Sequence, residues 1–171
     1  MFICISTGTG DLKSANILVD SRFRAKLADF GLSQKSQLGG AGTPFWMAPE
    51  VLRFESDNTA STDVYSFGIV LYEVFSRRDP YEGEDLQEVL SLVADKTVQK
   101  RPVAPSHMPD PLQSVMRDCL EDDPQARPSF QEIEDRLKRF DAGKINQPGV
   151  GNMRKGRMRM SSVSLFDIFP R

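Results

Sequence analysis

Histidine, cysteine and long apolar runs are scarce in this chain of 171 residues. The single histidine, His107, excludes a multi-histidine metal site, and the two cysteines, Cys4 and Cys119, form neither a zinc motif nor a disulfide framework. No apolar run approaches the roughly 18 residues that a membrane span needs, and the opening segment lacks the basic flank of a signal peptide. We therefore expect a globular, cytoplasmic protein with no membrane span.

A strong excess of one charge is also missing, since 22 basic residues face 24 acidic ones and give a net charge of −2. This balance argues against generic nucleic-acid binding. The charges are unevenly spread, because residues 141–171 carry a net charge of +4 and residues 1–140 one of −6. The shift in composition predicts a folded body followed by a basic, disordered linker or tail over 141–171.

Short apolar segments near the start of the chain predict a small β-hairpin. Residues 17–19 and 25–28 are apolar, and the polar residues 20–22 between them are typical of a turn. The polar, glycine-rich stretch over 31–43 predicts a long loop, and loops of that length in compact domains are usually functional or disordered.

The rest of the body has the apolar spacing of helices. Residues 63–75 are apolar on nearly every face, which predicts a buried central helix capped by Ser61, Thr62 or Asp63. Three amphipathic helices are expected to follow, with apolar stripes over 86–93, 112–120 and 130–140. Their expected start signals are Asp85 with Glu88, Asp110 with Pro111, and a capping box of Ser129 with Glu132. The fold class predicted is mainly α.

Acidic and amide side chains flank the predicted hairpin. Asp11 and Asn16 precede it and Asp29 follows it, so the hairpin is expected to bring Asn16 close to Asp29. Carboxylate and amide oxygens suit Mg²⁺, which keeps waters and substrate phosphates in its coordination shell. Asp11 can accept a hydroxyl proton, and Lys13 can neutralise charge on a phosphoryl group in transfer. This set of side chains is the one that phosphoryl transfer needs.

Five motifs together resemble the C-terminal lobe of eukaryotic protein kinases. In chain order they are Asp11-Leu-Lys13-x-x-Asn16, Asp29-Phe-Gly31, Gly42-Thr-Pro-Phe-Trp-Met-Ala-Pro-Glu50, Asp63-Val-Tyr-Ser-Phe-Gly68 and Arg127-Pro-Ser-Phe130. The resemblance covers residues 11–140, leaves 1–10 unmatched, and is closest to the tyrosine-kinase-like group of Ser/Thr kinases. It implies a protein-kinase-like helical bundle with a small β-hairpin and without the N-terminal lobe, and a reaction that moves the γ-phosphate of ATP to Ser/Thr hydroxyls of a protein substrate.

The resemblance also implies roles for the residues that match these motifs. Asp11 is the expected catalytic base, and Lys13 is expected to contact the γ-phosphate and to indicate Ser/Thr specificity. Asn16 and Asp29 are the expected Mg²⁺ ligands, and Leu18 is expected to lie under the adenine of ATP.

Four further residues receive structural or substrate-side roles from the same resemblance. Thr43 is expected to bond to Asp11 or Lys13 and to shape the substrate site. Glu50 and Arg127 are expected to form a buried ion pair, and Asp63 is expected to brace the backbone of the loop that carries Asp11.

The sequence departs from the family pattern just before Asp11, where Thr9-Gly10 stand in place of His-Arg. No Gly-rich phosphate loop and no Val-Ala-Ile-Lys strand precede this point, so we expect a truncated or misassembled chain that is inactive alone. The alternative reading is a kinase-like regulatory or scaffold module without catalysis. Residues 164–171 are similar to the segment that leads into class III nucleotide cyclases, which suggests a kinase–cyclase fusion as the parent.

Overall fold

Helices dominate the computed structural model, which describes residues 9–22, 24–28 and 44–140. Strands β1 (Ile17–Val19) and β2 (Ala25–Leu27) pair antiparallel, with Leu18 opposite Lys26. In this part of the chain the helices are α1 (Pro49–Leu52), α2 (Ala60–Ser76), α3 (Leu86–Ala94), α4 (Asp110–Cys119) and α5 (Phe130–Arg139). Short 3₁₀ turns cover Ser14–Asn16 and Pro44–Trp46. The predictions of a mainly α fold and of a small hairpin are confirmed.

Helix α2 is the centre of the fold. Every residue from Thr62 to Leu71 is buried, and Tyr65 and Ile69 have no exposed surface. Apolar side chains of α4 and α5 pack in the same core, namely Leu112, Val115, Met116, Cys119, Ile133 and Leu137. The prediction of a buried central helix is confirmed for these turns. The last turn of α2 reaches the surface, where Val74 is partly exposed.

Two helix starts follow the predicted signals. Ser129 and Glu132 form a capping box at the start of α5, in which the Ser129 backbone N–H donates to the Glu132 carboxylate over 2.7 Å. At the start of α3, the Asp85 carboxylate accepts a hydrogen bond of 2.9 Å from the Glu88 backbone N–H. Each cap satisfies backbone donors that have no partner within the helix.

The predicted caps of the two other long helices are wrong. Helix α2 begins after Thr59, whose backbone N–H donates to the Thr62 hydroxyl over 2.9 Å while the Thr59 hydroxyl accepts from the Thr62 backbone. This reciprocal pair satisfies the first turn, so Thr62 and Asp63 lie inside the helix. Helix α4 begins one residue earlier than predicted, because the Pro109 carbonyl already accepts from the Leu112 backbone N–H over 2.8 Å.

A glycine sets the distance between α2 and the end of α4. A Cβ atom at Gly68 would lie 2.9 Å from Leu120 Cγ, closer than real Cβ atoms approach, and 3.0 Å from Cys119 Cβ, which is also a tight contact. The two helices therefore meet at a contact that a side chain larger than that of glycine would force apart. This contact buries Cys119 and fixes α2, the helix from which the candidate site is held.

Several sequence predictions lie outside the described residues. These are the opening segment up to residue 8, the long loop over 31–43 and the basic linker over 141–171. Among the helices that the structure describes, none is both long enough and apolar enough to cross a membrane.

Candidate active site

The loop over residues 9–16, here called the Asp11 loop, is anchored to α2 by one carboxylate. Asp63 accepts hydrogen bonds from the Thr9 backbone N–H (2.6 Å), the Thr9 hydroxyl (3.0 Å) and the Gly10 backbone N–H (3.2 Å). Burial raises the pKa of Asp63, and these three hydrogen bonds oppose that rise. The pKa of Asp63 is therefore higher in the folded state than in the unfolded chain. Ionisation of Asp63 lowers the stability of the fold, and this loss is recovered as the pH falls through the folded-state pKa.

Gly10 turns the Asp11 loop through a backbone conformation that glycine adopts more easily than other residues. Its φ of +70° lies in the left-handed region. A Cβ atom there would lie 2.5 Å from Asn58 Nδ2. An arginine at this position, which the kinase pattern has, would be strained in this backbone conformation and would require the Asn58 side chain to move.

The structure brings together three of the predicted site residues. The Asp11 side chain is 5% exposed, and its Oδ2 atom lies 3.1 Å from Lys13 Nζ. The amide nitrogen of Asn16 donates to the same Oδ2 atom and to the Asp11 carbonyl, each over 2.8 Å. A carboxylate held by a cation and an amide is positioned to accept a proton from a hydroxyl group.

The hydrogen bonds of Asn16 also decide which of its atoms can reach a metal ion. Its nitrogen faces Asp11, so its amide oxygen, a hard ligand suited to Mg²⁺, points elsewhere. Asp29, the other predicted metal ligand, and Thr43, the predicted substrate residue, lie outside the described residues. Within 9–22, 24–28 and 44–140, no group of three or more His, Cys, Asp or Glu side chains is arranged to hold a metal ion.

Leu18 lies on β1, directly after the Asp11 loop, and its side chain is 58% exposed. The neighbouring Val19 is equally open to solvent. The hairpin thus presents an apolar surface beside the loop, and the expected contact of Leu18 with adenine stays a prediction.

Glu50 and Arg127 form the ion pair expected from the resemblance. Both nitrogens at the end of the guanidinium donate to the Glu50 carboxylate over 2.7 Å, and the two side chains are 4% and 0% exposed. The guanidinium also lies 5.2 Å from the centre of the Tyr65 ring, and burial raises the pKa of Tyr65 to about 12. This cluster ties the segment that begins at residue 44 to α2 and to the loop before α5.

Sequence reasoning missed a second carboxylate by which α2 holds the site. Glu73 accepts a hydrogen bond of 2.6 Å from the Ser14 hydroxyl and one of 2.8 Å from the Trp46 indole N–H. A signal was present, because Glu73 is the only charged residue between Val64 and Phe75 in an otherwise apolar helix. An ionised group in such a setting needs partners, and its partners lie on the two loops of the site.

Comparison with known proteins agrees with this geometry. The family model described as protein tyrosine and serine/threonine kinase matches residues 9–137. The chain is 43% identical over 136 residues to "Probable serine/threonine-protein kinase drkC" of Dictyostelium discoideum, and 42% identical over 132 residues to the dual specificity protein kinase shkC of the same organism. It is 40% identical over 134 residues to the serine/threonine-protein kinase CTR1 of Arabidopsis thaliana.

The chain belongs to the protein kinase family. These alignments cover 72–75% of the chain but only 16–26% of each relative, so the chain spans about a quarter or less of the length of these relatives. More particularly, it is a partial kinase domain with the helical fold of the C-terminal lobe. Kinases in general use ATP and Mg²⁺ and act on protein substrates.

Proposed function

We propose that this chain supplies the catalytic-loop half of a Ser/Thr protein kinase site, in which the γ-phosphate of Mg-ATP moves to a protein hydroxyl. Asp11 accepts the hydroxyl proton and Lys13 neutralises charge on the phosphoryl group in transfer. Asn16 and Asp29 hold Mg²⁺, Leu18 supports the adenine, and Thr43 shapes the site for the substrate. The protein acts in the cytoplasm, where its buried free thiol, Cys119, stays reduced.

One observation carries this proposal. The Asp11 carboxylate is almost fully buried, yet it is held by Lys13 Nζ and the Asn16 amide within 3.1 Å on a loop that α2 anchors. Burying a charge in this way is costly unless it is paired. A solvated surface loop would need no such arrangement, whereas phosphoryl transfer needs a base and a cation at fixed positions.

A second candidate function is that of a kinase-like regulatory or scaffold module. It is favoured by Gly10, where the kinase pattern has an arginine and where Asn58 occupies the space a side chain would need. In this case the Asp11 loop keeps its shape without transferring phosphate, and the chain acts through the surface of its helical lobe.

Two measurements on the full chain test the proposal. In the first, Mg-ATP raises the melting temperature of the wild type but not of Asp29→Asn, because that variant loses a metal ligand. In the second, the chain is fused behind the N-terminal lobe of a related kinase, because the chain alone is expected to be inactive. Transfer of labelled γ-phosphate to a serine-containing protein should then fall about a hundredfold or more in Asp11→Asn, while Asp79→Asn, on an exposed loop, keeps the wild-type rate. Equal rates for Asp11→Asn and wild type would refute the role of Asp11. Absence of both a thermal shift and transfer would leave the scaffold function.

A further inference from the structure

Glu73 connects two loops that are far apart in the sequence. Its Oε1 atom accepts from the Ser14 hydroxyl over 2.6 Å, and its Oε2 atom accepts from the Trp46 indole N–H over 2.8 Å. Each carboxylate oxygen therefore takes one donor. Hydrogen bonds to a carboxylate are stronger than those between neutral groups. Each carboxylate oxygen thus ties one loop to α2, with the Ser14 bond exposed to solvent and the Trp46 bond partly buried.

The Trp46 end of this bridge has a second anchor on the same helix. The Ser66 hydroxyl donates to the Trp46 backbone carbonyl over 2.8 Å. Ser66 and Glu73 are seven residues apart, which is about two helical turns, so both face the same side of α2. Trp46 is thus held at its backbone by Ser66 and at its ring by Glu73.

The Ser14 end of the bridge lies within the Asp11 loop. Ser14 directly follows Lys13 and opens the 3₁₀ turn that ends at Asn16. A hydrogen bond that holds the Ser14 hydroxyl on α2 therefore also restrains the backbone between Lys13 and Asn16. The bond to Glu73 works from the opposite end of the loop to the Asp63 anchor, which holds Thr9 and Gly10.

We propose that Glu73 is a positioning residue that couples the Asp11 loop to the segment over residues 44–48, so that the two loops move as one unit. The proposal rests on the proposed function in one respect, since it takes the Asp11 loop as the site of proton acceptance and the segment after Thr43 as part of the substrate site. Glu73 acts through Ser14 and Trp46 and need not touch substrate or nucleotide.

The coupling can be measured without enzymatic activity, because Trp46 is the only tryptophan of the chain. In the full chain, Glu73→Met removes both acceptors and is expected to raise the acrylamide quenching of Trp46 fluorescence about twofold. Ser14→Ala should raise quenching in the same direction at an unchanged melting temperature, although its hydroxyl bonds to Glu73 and not to the indole. Glu82→Met and Ser106→Ala, two exposed sites, are the matched controls.

Conservative variants separate a specific bridge from general loosening. Glu73→Gln can still accept from the indole and donate to the Ser14 hydroxyl, and Ser14→Thr keeps the hydroxyl, so both should quench nearly as the wild type does. An unchanged signal in Ser14→Ala overturns the proposal even if Glu73→Met fails to fold. Equal changes in Ser14→Ala and Ser106→Ala would overturn it as well.

Phosphate transfer, measured in the same fusion of the chain to a kinase N-terminal lobe, gives an independent readout. If the loops are coupled, Ser14→Ala lowers kcat for the protein substrate about tenfold while KM for ATP stays near the wild-type value. If the wild type transfers no phosphate, the proposed function fails, and the fluorescence of Ser14→Ala still decides whether Glu73 couples the two loops.

Discussion

Arg127 satisfies all five of its guanidinium donors while its side chain is completely buried. Two of them bond to the Glu50 carboxylate, and the remaining three bond to the backbone carbonyls of Ser61, Glu121 and Asp122. A charge withdrawn from water in this way is stable only while every partner is present. The contribution of the Glu50–Arg127 pair is therefore mainly to specify one arrangement of these segments, and its contribution to net stability is smaller.

Removing one member of this pair should be severe. Arg127→Met leaves the Glu50 carboxylate buried without its counter-charge, and we expect the free energy of unfolding to fall by about 3–5 kcal/mol. Urea unfolding followed by circular dichroism measures this loss.

Two controls accompany the experiment on Arg127. The double variant Glu50→Leu with Arg127→Met removes both charges and should be less destabilised than Arg127→Met alone. Lys138→Met, which breaks a pair with Glu134 on the surface of α5, should change stability by about 0.5 kcal/mol or less. A loss in Arg127→Met as small as that in Lys138→Met would contradict the assignment.

Some residues of the candidate site could be predicted from the sequence and others could not. Asp11, Lys13 and Asn16 lie within a short motif, so their proximity follows from the chain itself. Ser14 and Trp46 meet only through Glu73, at sequence separations of 59 and 27 residues. A lone carboxylate in an apolar helix shows that it needs a partner, but it does not show which loop provides one.

At the scale of elements, the spacing of α2 and α4 depends on the missing side chain at Gly68. Gly68→Ala places a methyl group against Leu120 and Cys119. We expect the free energy of unfolding to fall by about 1–3 kcal/mol, because a packed core must shift to admit the extra carbon. Thermal unfolding monitored by circular dichroism tests this expectation.

A second substitution shows whether Gly68→Ala destabilises through a steric clash with Leu120 or through a loss of backbone flexibility. Leu120→Ala alone should destabilise by creating a cavity, but the double variant with Gly68→Ala should lose less than the two single losses together, because the new methyl enters the vacated space. Strictly additive losses would indicate that the two side chains do not meet.

The helices themselves were largely predictable, because apolar periodicity reports which face of each segment is buried. The capping box of Ser129 and Glu132 was predictable for a similar reason, since both partners lie within one turn. The cap at Thr59 was missed because Ser61, Thr62 and Asp63 all carry an oxygen that could cap the helix. Which residue caps it depends in part on Asp63, whose carboxylate binds the Asp11 loop instead. The close approach at Gly68 was also missed, because periodicity does not reveal which neighbour faces a given residue.

At the scale of the whole molecule, Cys119 reports on the integrity of the core. It has no exposed surface, and burial raises the pKa of its thiol to about 12. In a Cys4→Ser variant, where Cys119 is the remaining thiol, native protein should react with a disulfide reagent only as fast as the core opens. Labelling across a urea series should then follow the unfolding transition. Rapid labelling in the absence of urea would contradict the burial of this thiol.

Helix α2 also determines where in the chain an inserted residue can be tolerated. Asp63, Ser66 and Glu73 hold the site along about 15 Å of helix, and each added residue would advance the chain by about 1.5 Å and turn it by about 100°. One insertion between Asp63 and Glu73 would therefore carry one anchor to the wrong side of the helix and separate the two loops. An insertion at Val103, whose side chain is exposed in the connection between α3 and α4, leaves every one of these contacts in register. Length variation is thus compatible with that connection and incompatible with α2.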